Sequence, residues 1–389
     1  MAVSASYRIL FLSACVIFAS AQPGESGRGF VVVQGSDNET PVDQVVKDTL
    51  QSGLTTVFLP IIYIIVFAMG LPTNAMAIWV LLFRSKKIHP STIYMGNLAL
   101  ADLMFVIWTP LKIAYHLKGN NWTYGEGMCK VLVGFFYGNM YCSILFITCL
   151  SVQRYWVCAH PLSQHKKNNK FAIIVSVCIW IFIWVSTTPL YLYQQTFKST
   201  ELNITTCHDI NFVSQENYQT ENMFLDVQLP YYYFMVMAGL VFFIPMLVII
   251  AAYVLLLRLL GNSAVEGSAG KTRQRAVVLI VTVLITFLVC FIPSNVMLVL
   301  HYSVQEKSWA NKSYGLYITT LCLASLNSCL DPFIYYYVSD EFREHVKNTL
   351  LCRSSRTVDR MRVSFSSMKY SKKKHTYTSS TGPTESSSC

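Results

Sequence analysis

The chain has 389 residues, of which 53% are hydrophobic and only 13% are charged. Soluble domains carry about 25% charged residues, so the composition excludes an ordinary soluble protein and indicates an integral membrane protein. The net charge of +10 lies mainly in alternate loops and in the carboxyl-terminal tail, which indicates membrane orientation and contact with anionic lipid rather than nucleic-acid binding. The cysteines and histidines show no metal-ligand spacing, and no nucleophile–base pair stands out, so we expect no enzyme activity.

Residues 1–21 are typical of a signal peptide. Arg8 precedes a short apolar run, and Ala19-Ser20-Ala21 is a small-residue cleavage signature. The apolar run is too short to span a bilayer. We therefore expect the mature chain to begin near Gln22, with its amino terminus outside the cell.

The next segment, residues 22–53, is polar, and we expect it to be unfolded. Only two basic residues occur in it, Arg28 and Lys47, and Arg28 is followed by an apolar hexamer. The hexamer consists of Gly29, Phe30, Val31, Val32, Val33 and Gln34. An apolar stretch in a polar tail is a candidate for binding elsewhere.

Seven apolar runs follow and predict seven transmembrane helices. They lie near residues 55–83, 91–116, 127–159, 171–193, 228–258, 273–302 and 313–337. Basic residues cluster after the first, third and fifth runs, whereas the outer loop 194–227 holds one lysine and five acids. The positive-inside rule therefore predicts a bundle, residues 54–338, with a cytoplasmic carboxyl terminus. Glycosylation sequons on Asn38, Asn121, Asn203 and Asn311 all fall on the predicted outer side.

Residues 339–352 predict a short amphipathic helix on the inner leaflet, ending at Cys352, a candidate for palmitoylation. Residues 353–389 form a basic tail rich in Ser and Thr, for which we expect no independent fold. The predicted fold is therefore an all-α membrane protein, a seven-transmembrane-helix bundle with a short amphipathic eighth helix.

Two cysteines, Cys129 and Cys207, lie on the predicted outer side. A disulfide between them would attach the long outer loop to the third helix. The alternative, two free thiols, is less consistent with an oxidising compartment.

Polar residues inside the apolar runs predict a buried cluster. Asp102 lies in the middle of the second run, where a carboxylate needs partners, and Asn74, Asn327 and Asp331 are candidates. The functional interpretation is a conformational switch, with a sodium ion as a candidate ligand, and the alternative is a structural hydrogen-bond network; the two are not exclusive. Arg154, at the inner end of the third run, is either a signalling residue or one that snorkels to lipid head groups.

Motifs in order along the chain carry a resemblance to a known family. They include NLALAD ending at Asp102, Arg154-Tyr155, FLVCFIP ending at Pro293 and DPFIY from Asp331 to Tyr335. Over about residues 54–352 the chain resembles the rhodopsin-like G-protein-coupled receptors, although Gln153 replaces the acid that commonly precedes the arginine. GFFYGNMYCSILF, SVQRYW and Cys207-His208-Asp209 resemble, more narrowly, the protease-activated receptors.

The resemblance implies a receptor that a trypsin-like serine protease activates by cutting between Arg28 and Gly29. The cut would release residues 22–28 and expose residues 29–34 as a tethered ligand with a charged amino group. We expect Asp209 to bind that group. The pocket residues implied beside it are His208, Tyr137, His301, Tyr302, Tyr314 and Tyr317. An aromatic belt at the membrane interface is the alternative role for Tyr314 and Tyr317.

On the inner side, the resemblance implies that outward movement of the sixth helix opens a cleft lined by Arg154, Tyr253 and Tyr335. This cleft would receive heterotrimeric G proteins, often of the Gq class. Arrestins would bind the phosphorylated tail. A cut after Lys47 would discard the hexamer and disarm the receptor. Two other interpretations stay open: a receptor for a diffusible peptide, and an ion-coupled transporter, against which the absence of an inverted repeat argues.

Overall fold

The computed structural model describes residues 30–34, 44–84, 88–160, 169–192, 194–199, 201–214, 229–261, 268–303, 307–338, 342–344 and 346–347. Within these ranges, six helices are long and apolar enough to cross a membrane. They extend over Gln44–Phe83, Pro90–Leu117, Gly125–Ala159, Asn169–Tyr191, Tyr232–Leu259 and Ala276–Leu300. The seventh predicted span is also helical, but it is divided into two pieces. The predicted helical bundle is confirmed.

Five α-helices build the first three spans. They are α1 (Gln44–Gln51), α2 (Leu59–Trp79), α3 (Pro90–Val106), α4 (Thr109–Leu117) and α5 (Gly125–Ala159). At about 1.5 Å per residue, α5 is about 52 Å long and exceeds the bilayer core. Its most apolar stretch is 67% buried, against at most 44% in the other five candidate spans. Helix α5 is therefore the centre of the bundle.

In the described part of the chain, seven further helices belong to the bundle. They are α6 (Asn169–Leu192), α7 (Leu229–Met237), α8 (Ile244–Gly261), α9 (Ser268–Thr286), α10 (Ile292–Ser303), α11 (Lys307–Ala324) and α12 (Asn327–Val338). Pro245 and Pro293 each follow a π-helical segment, at Ala238–Phe243 and Phe287–Phe291. A proline cannot donate to the preceding turn, so the helix widens there. Helices α11 and α12 together form the seventh span.

Four short strands lie in the described parts of the tail and of the outer loop. They are β1 (Phe30–Gln34), β2 (Thr196–Ser199), β3 (Ile204–Cys207) and β4 (Ile210–Ser214). Strands β2 and β3 form an antiparallel hairpin in the outer loop. Strand β1 pairs in parallel with β4, in a register that runs from Phe30 opposite Ile210 to Gln34 opposite Ser214.

The tail before the first span is therefore not wholly unfolded, and that prediction was wrong for two segments. Strand β1 is paired along its whole length, and α1 buries Val46 and Leu50. The polar average over residues 22–53 concealed these two local segments, of which β1 pairs with a distant strand and α1 packs through Val46 and Leu50. Arg28, Gly29 and Asn38 lie outside the described residues.

A second compact unit comprises residues 339–389. Its described residues, 342–344 and 346–347, are helical. The rest of the predicted amphipathic helix, including Cys352, lies outside the described residues.

Candidate functional site

The outer loop is fixed onto the start of α5. Cys129 and Cys207 form the predicted disulfide, with a Cα–Cα distance of 5.8 Å. The Glu126 carboxylate accepts hydrogen bonds from the backbone N–H of Gln195 (2.7 Å) and of Thr196 (2.8 Å), and from the Thr196 hydroxyl (2.5 Å). The disulfide and the hydrogen bonds of Glu126 thus hold the β2–β3 hairpin, and the residue before it, against the start of α5.

A strained turn then positions Asp209. His208 has a φ of 70°, a left-handed conformation that is uncommon for a residue with a side chain. Its backbone N–H donates to the carbonyl of Gln195 (2.7 Å), and its Nδ1 lies 2.6 Å from Gln195 Oε1. These contacts turn the chain between β3 and β4, so that Asp209 faces the bundle with only 6% of its surface exposed. Such strain is typical of functional sites.

Two tyrosines hold the Asp209 carboxylate. The Tyr115 hydroxyl, at the outer end of α4, donates to Oδ2, and the Tyr314 hydroxyl of α11 donates to Oδ1 at 2.9 Å. The loop residue is therefore connected to the second and seventh spans at once. We call Asp209, Tyr115, Tyr314, Lys112 and His116 the outer carboxylate site.

The charge balance of this site favours an ionised carboxylate. Burial raises the pKa of the Asp209 carboxyl. The Lys112 ammonium and then His116 lower that pKa, as do the hydrogen bonds from the two tyrosines. The net pKa lies below the ordinary value of an aspartate, so Asp209 is a fixed negative charge at neutral pH.

The outer carboxylate site opens onto a cleft with about 720 Å³ of open space. Five of the residues predicted from the sequence line it: Tyr137, His208, Asp209, Tyr314 and Tyr317. The Tyr137 hydroxyl lies 3.3 Å from His208 Nε2. His301 and Tyr302 belong to α10, but their side chains lie outside the described part of the chain. Most of the predicted pocket is thus assembled, with apolar walls and a charged end.

Sequence reasoning missed three residues of the site, Lys112, Tyr115 and His116. They lie at i, i+3 and i+4 on α4, so they share one helix face. The Lys112 Nζ lies 4.9 Å from the centre of the Tyr115 ring. One sequence signal could have revealed these residues. A lysine lies near the end of an otherwise apolar run, and aromatic residues follow it on the same helix face.

The base of the tail is anchored beside the same cleft. The Asn120 amide donates to the carbonyl of Leu50 (2.6 Å) and to the Thr55 hydroxyl (3.1 Å), while His116 Nδ1 lies 2.7 Å from Asn120 Oδ1. Lys47 of α1 forms an ion pair with Glu201 of the β2–β3 turn. Helix α1 is therefore a fixed point from which the preceding residues extend.

A second polar group lies in the middle of the bundle. The Ser328 hydroxyl donates to Asp102 Oδ1 at 2.8 Å, and the Tyr335 hydroxyl lies 3.3 Å from both Asp102 Oδ2 and Asn74 Oδ1. The Asn74 amide donates to the backbone carbonyl of Ser328 at 2.8 Å. We call Asn74, Asp102, Ser328, Asp331 and Tyr335 the mid-membrane cluster. It brings together Asn74, Asp102 and Asp331, which were predicted as a buried cluster, and adds Tyr335, which was expected at the inner cleft.

The mid-membrane cluster has a donor set that fits a small cation. Neither oxygen of the fully buried Asp331 carboxylate accepts a hydrogen bond from a described residue. Asn327 donates to the Ser143 hydroxyl at 2.9 Å, so further oxygen atoms lie in the same layer. Carboxylate, hydroxyl and amide oxygens are hard ligands of the kind that alkali and alkaline-earth ions prefer.

The inner end of α5 is closed in this structure. The Arg154 guanidinium donates from Nη2 to the carbonyl of Val338 at 2.5 Å, and the Ser151 hydroxyl donates to the Tyr253 hydroxyl at 2.9 Å. Tyr335 points to Asp102 instead of to Arg154. Arg154, Tyr253 and Tyr335 therefore have separate partners within the bundle, and do not share an open cleft in this conformation.

Comparison with known proteins gives a consistent result. Residues 73–335 match the model of the 7 transmembrane receptor (rhodopsin family). The chain is 54% identical to Proteinase-activated receptor 2 of Bos taurus over 358 residues, covering 92% of this chain and 87% of that protein. The Homo sapiens protein of that name is 53% identical over 356 residues, covering 91% and 87%. Proteinase-activated receptor 1 of Xenopus laevis is 36% identical over 333 residues, covering 82% and 76%.

Proposed function

The chain belongs to the proteinase-activated receptors of the rhodopsin family, and we propose that cleavage after Arg28 converts residues 29–34 into its tethered ligand. The protein is a protease-activated G-protein-coupled receptor, a multi-pass protein of the plasma membrane. Its partners include an activating protease and G proteins. The proposal concerns which bond is cut and what the new terminus binds.

One observation carries the proposal: strand β1 leads into the outer carboxylate site. Phe30 pairs with Ile210 in parallel register. Gly29 directly precedes Phe30, and Asp209 directly precedes Ile210. Gly29 and Asp209 therefore occupy equivalent positions, each one residue before the Phe30–Ile210 pair. An ammonium created on Gly29 would be placed close to the buried, ionised carboxylate of Asp209. A cation and a carboxylate in that position attract strongly, because the site is screened from water.

The protease is of the trypsin type. Trypsin-like enzymes require Arg or Lys before the scissile bond, because an aspartate lies at the base of their specificity pocket. Arg28 satisfies this requirement. Gly27 precedes it, and no dense acidic run follows, so thrombin has few additional contacts to use.

Binding at Asp209 acts on the bundle through the two tyrosines. The carboxylate accepts hydrogen bonds from Tyr115 of α4 and Tyr314 of α11. An additional cation redistributes these hydrogen bonds and shifts the outer ends of both helices. Helix α11 leads into α12, which carries Asp331 and Tyr335, so a movement of the seventh span reaches the mid-membrane cluster.

The inner response follows from the same path. Release of Arg154 from the Val338 carbonyl, with outward movement of the sixth span, would open a cleft for the carboxyl terminus of a Gq-class α subunit. Arrestins then bind the phosphorylated tail, and the chain keeps its amino terminus outside the cell. Lipid contact includes palmitoylation of Cys352.

The mid-membrane cluster is the proposed place of a sodium ion. Asp102, Asp331, Ser143, Asn327 and Ser328 supply the oxygen atoms that would hold it. When bound, the ion neutralises part of the charge of the two carboxylates and favours the conformation in which they lie close together.

The test is the calcium response of transfected cells to trypsin. We expect Arg28→Ala to lose the trypsin response while it keeps a normal response to added GFVVVQ amide, because only the bond that releases the ligand has been removed. The peptide arm is the control for folding and surface delivery. An undiminished trypsin response of Arg28→Ala overturns the proposed cleavage, and dependence of that response on a secreted factor would support a diffusible ligand instead.

A further inference from the structure

The pairing of β1 with β4 is an unusual contact, because about 180 residues separate the two strands in the sequence. Parallel strands of one chain are ordinarily joined by a crossover of a dozen or more residues, usually an α-helix that packs on the sheet. Here, one strand comes from the tail and the other from a loop that is held by a disulfide. The geometry is that of strand addition, in which an extended peptide joins the edge of an existing strand.

The outer loop presents β4 as that edge. Among the described residues, β1 is the hydrogen-bonded neighbour of β4, since β2 and β3 form a separate two-stranded sheet. An unpaired strand edge is a row of unsatisfied N–H and C=O groups, which proteins cover. The tail segment supplies that cover over five consecutive pairs.

The pairing exists in the intact chain, in which Arg28 and Gly29 are still joined. We infer that the ligand strand is docked on β4 before proteolysis, so that the cut creates the activating charge in place instead of delivering the peptide from solution. This inference rests on the proposed function, because it takes residues 29–34 as the ligand. The inference adds two points: β4 is the surface that holds the ligand, and the ligand binds there before the cut.

The anchoring of α1 supports this order of events. The Asn120 amide, bound to the Leu50 carbonyl, and the Lys47–Glu201 ion pair fix the base of the tail. Only residues 35–43 connect β1 with α1. A linker of nine residues has an r.m.s. length of about 15–18 Å if it is flexible, so the strand stays close to the outer loop at all times. A short tether maintains a high effective concentration, which favours docking without any charge on Gly29.

Pre-docking makes two consequences measurable. The resident strand should compete with added peptide in the uncleaved receptor. Apparent affinity falls in proportion to the fraction of free sites, so occupancy of about 70–90% would weaken added GFVVVQ by about three- to tenfold. Proline at the centre of β1 cannot donate to the ladder and should remove the competition.

Cross-linking tests the register directly. In the full-length chain with Arg28→Ala, a cleavage site for a viral protease is introduced within residues 35–43, and Val32→Cys is combined with Phe212→Cys, its partner in register. Opposite positions on adjacent strands are close enough for a disulfide. We expect the fragment upstream of the new site to remain attached after cleavage and to be released by reductant. The matched control, Val32→Cys with Ser214→Cys, is displaced by two positions and should release the fragment without reductant.

Release of the fragment from the in-register pair without reductant overturns the inference, as does equal cross-linking of the two pairs. If the cysteine variants fail to reach the surface, a second measurement decides. We expect Arg28→Ala/Val32→Pro to respond to added GFVVVQ at a lower concentration than Arg28→Ala, whereas identical EC50 values contradict pre-docking. Neither result depends on activation by trypsin, so failure here is distinct from failure of the cleavage proposal.

Discussion

The two buried carboxylate sites of the receptor are built in opposite ways. Asp209 is a single acid, 6% exposed, that accepts hydrogen bonds from Tyr115 and Tyr314 and has the Lys112 ammonium nearby. Asp102 and Asp331 are two fully buried acids: Asp102 accepts hydrogen bonds from the Ser328 and Tyr335 hydroxyls, whereas no described residue donates a hydrogen bond to Asp331. The outer site is thus prepared for one additional positive charge at the water interface. The mid-membrane cluster instead couples several helices around two acids that repel each other when both are ionised.

This difference assigns different tasks to the two sites. A carboxylate at the outer mouth can distinguish a cleaved tail from an intact one, because the two differ by one charge. A cluster that joins the first, second and seventh spans can respond to the relative position of those helices. We therefore expect recognition at the outer carboxylate site and transmission at the mid-membrane cluster, so substitutions at the two sites should have separable effects.

The largest effect is expected from Asp102→Asn. The amide keeps the shape but removes the acid that Ser328 and Tyr335 contact, so we expect the maximal calcium response to fall to background while labelled GFVVVQ still binds. Replacement of sodium by choline at constant ionic strength should shift peptide binding in the wild type and leave the variant unchanged. If Asp102→Asn reached the cell surface at normal density but no longer bound the peptide, the separation of recognition from transmission would be contradicted.

The next largest effect is a pH dependence of the hexamer's EC50, caused by titration of the hexamer's own amino group. The amino group of the free hexamer has an ordinary pKa of about 8, and an ion pair with Asp209 raises the pKa of the bound form. Binding is therefore complete below the free pKa and is lost as the pH rises, with EC50 increasing about tenfold between pH 7 and pH 9. The lowered pKa of Asp209 keeps the carboxylate ionised throughout. N-acetylated hexamer is the control, and an equal slope for both peptides would contradict the ammonium role.

Tyr115→Phe and Tyr314→Phe should each have a moderate effect. Each substitution removes one hydrogen-bond donor to Asp209 and keeps the aromatic ring. The binding free energy of the hexamer should weaken by about 0.5–1.5 kcal/mol, which raises its EC50 about 2- to 12-fold. Tyr317→Phe, in the same cleft, is the matched control and should change the EC50 less. If all three variants behaved alike, the hydroxyl groups on Asp209 would have no special role.

The smallest effect concerns Lys47. Proteases bind extended chain, and Lys47 lies inside α1, paired with Glu201. The intact receptor should therefore resist trypsin at Lys47, so the disarming cut expected from the sequence should be slow. Glu201→Ala removes an exposed ion pair that contributes about 0–1 kcal/mol, so cleavage there should accelerate no more than about fivefold. Mass spectrometry of the released fragments measures the rates of cleavage after Arg28 and after Lys47. Equal rates would show that α1 does not protect Lys47.

Much of the architecture could be predicted because the bilayer leaves few choices. Long apolar runs, the distribution of basic residues and two outer cysteines predicted the spans and the disulfide, since backbone polar groups in lipid must be satisfied within helices. The mid-membrane cluster could also be predicted, because Asn74, Asp102 and Asp331 are polar residues in apolar runs. Each such residue needs a partner wherever it lies.

The outer site was harder to predict because its contacts are long-range. The choice of Tyr115 and Tyr314 as partners of Asp209 depends on the turn at His208 and on the disulfide, which no local pattern encodes. The same applies to β1, whose partner lies about 180 residues away. A strand that depends on a distant edge resembles an unfolded apolar segment when the sequence is read locally.

The most direct test of the central claim, that the new amino group acts through Asp209, is a double-mutant cycle on the hexamer. GFVVVQ amide and its N-acetyl form are titrated on wild type and on Asp209→Asn. We predict that Asp209→Asn weakens the free-amine peptide by about 30-fold or more, equivalent to about 2 kcal/mol for a buried charge pair, and leaves the weak acetylated peptide almost unchanged. Equal weakening of both peptides would contradict the account, because Asp209 would then support the pocket without recognising the charge.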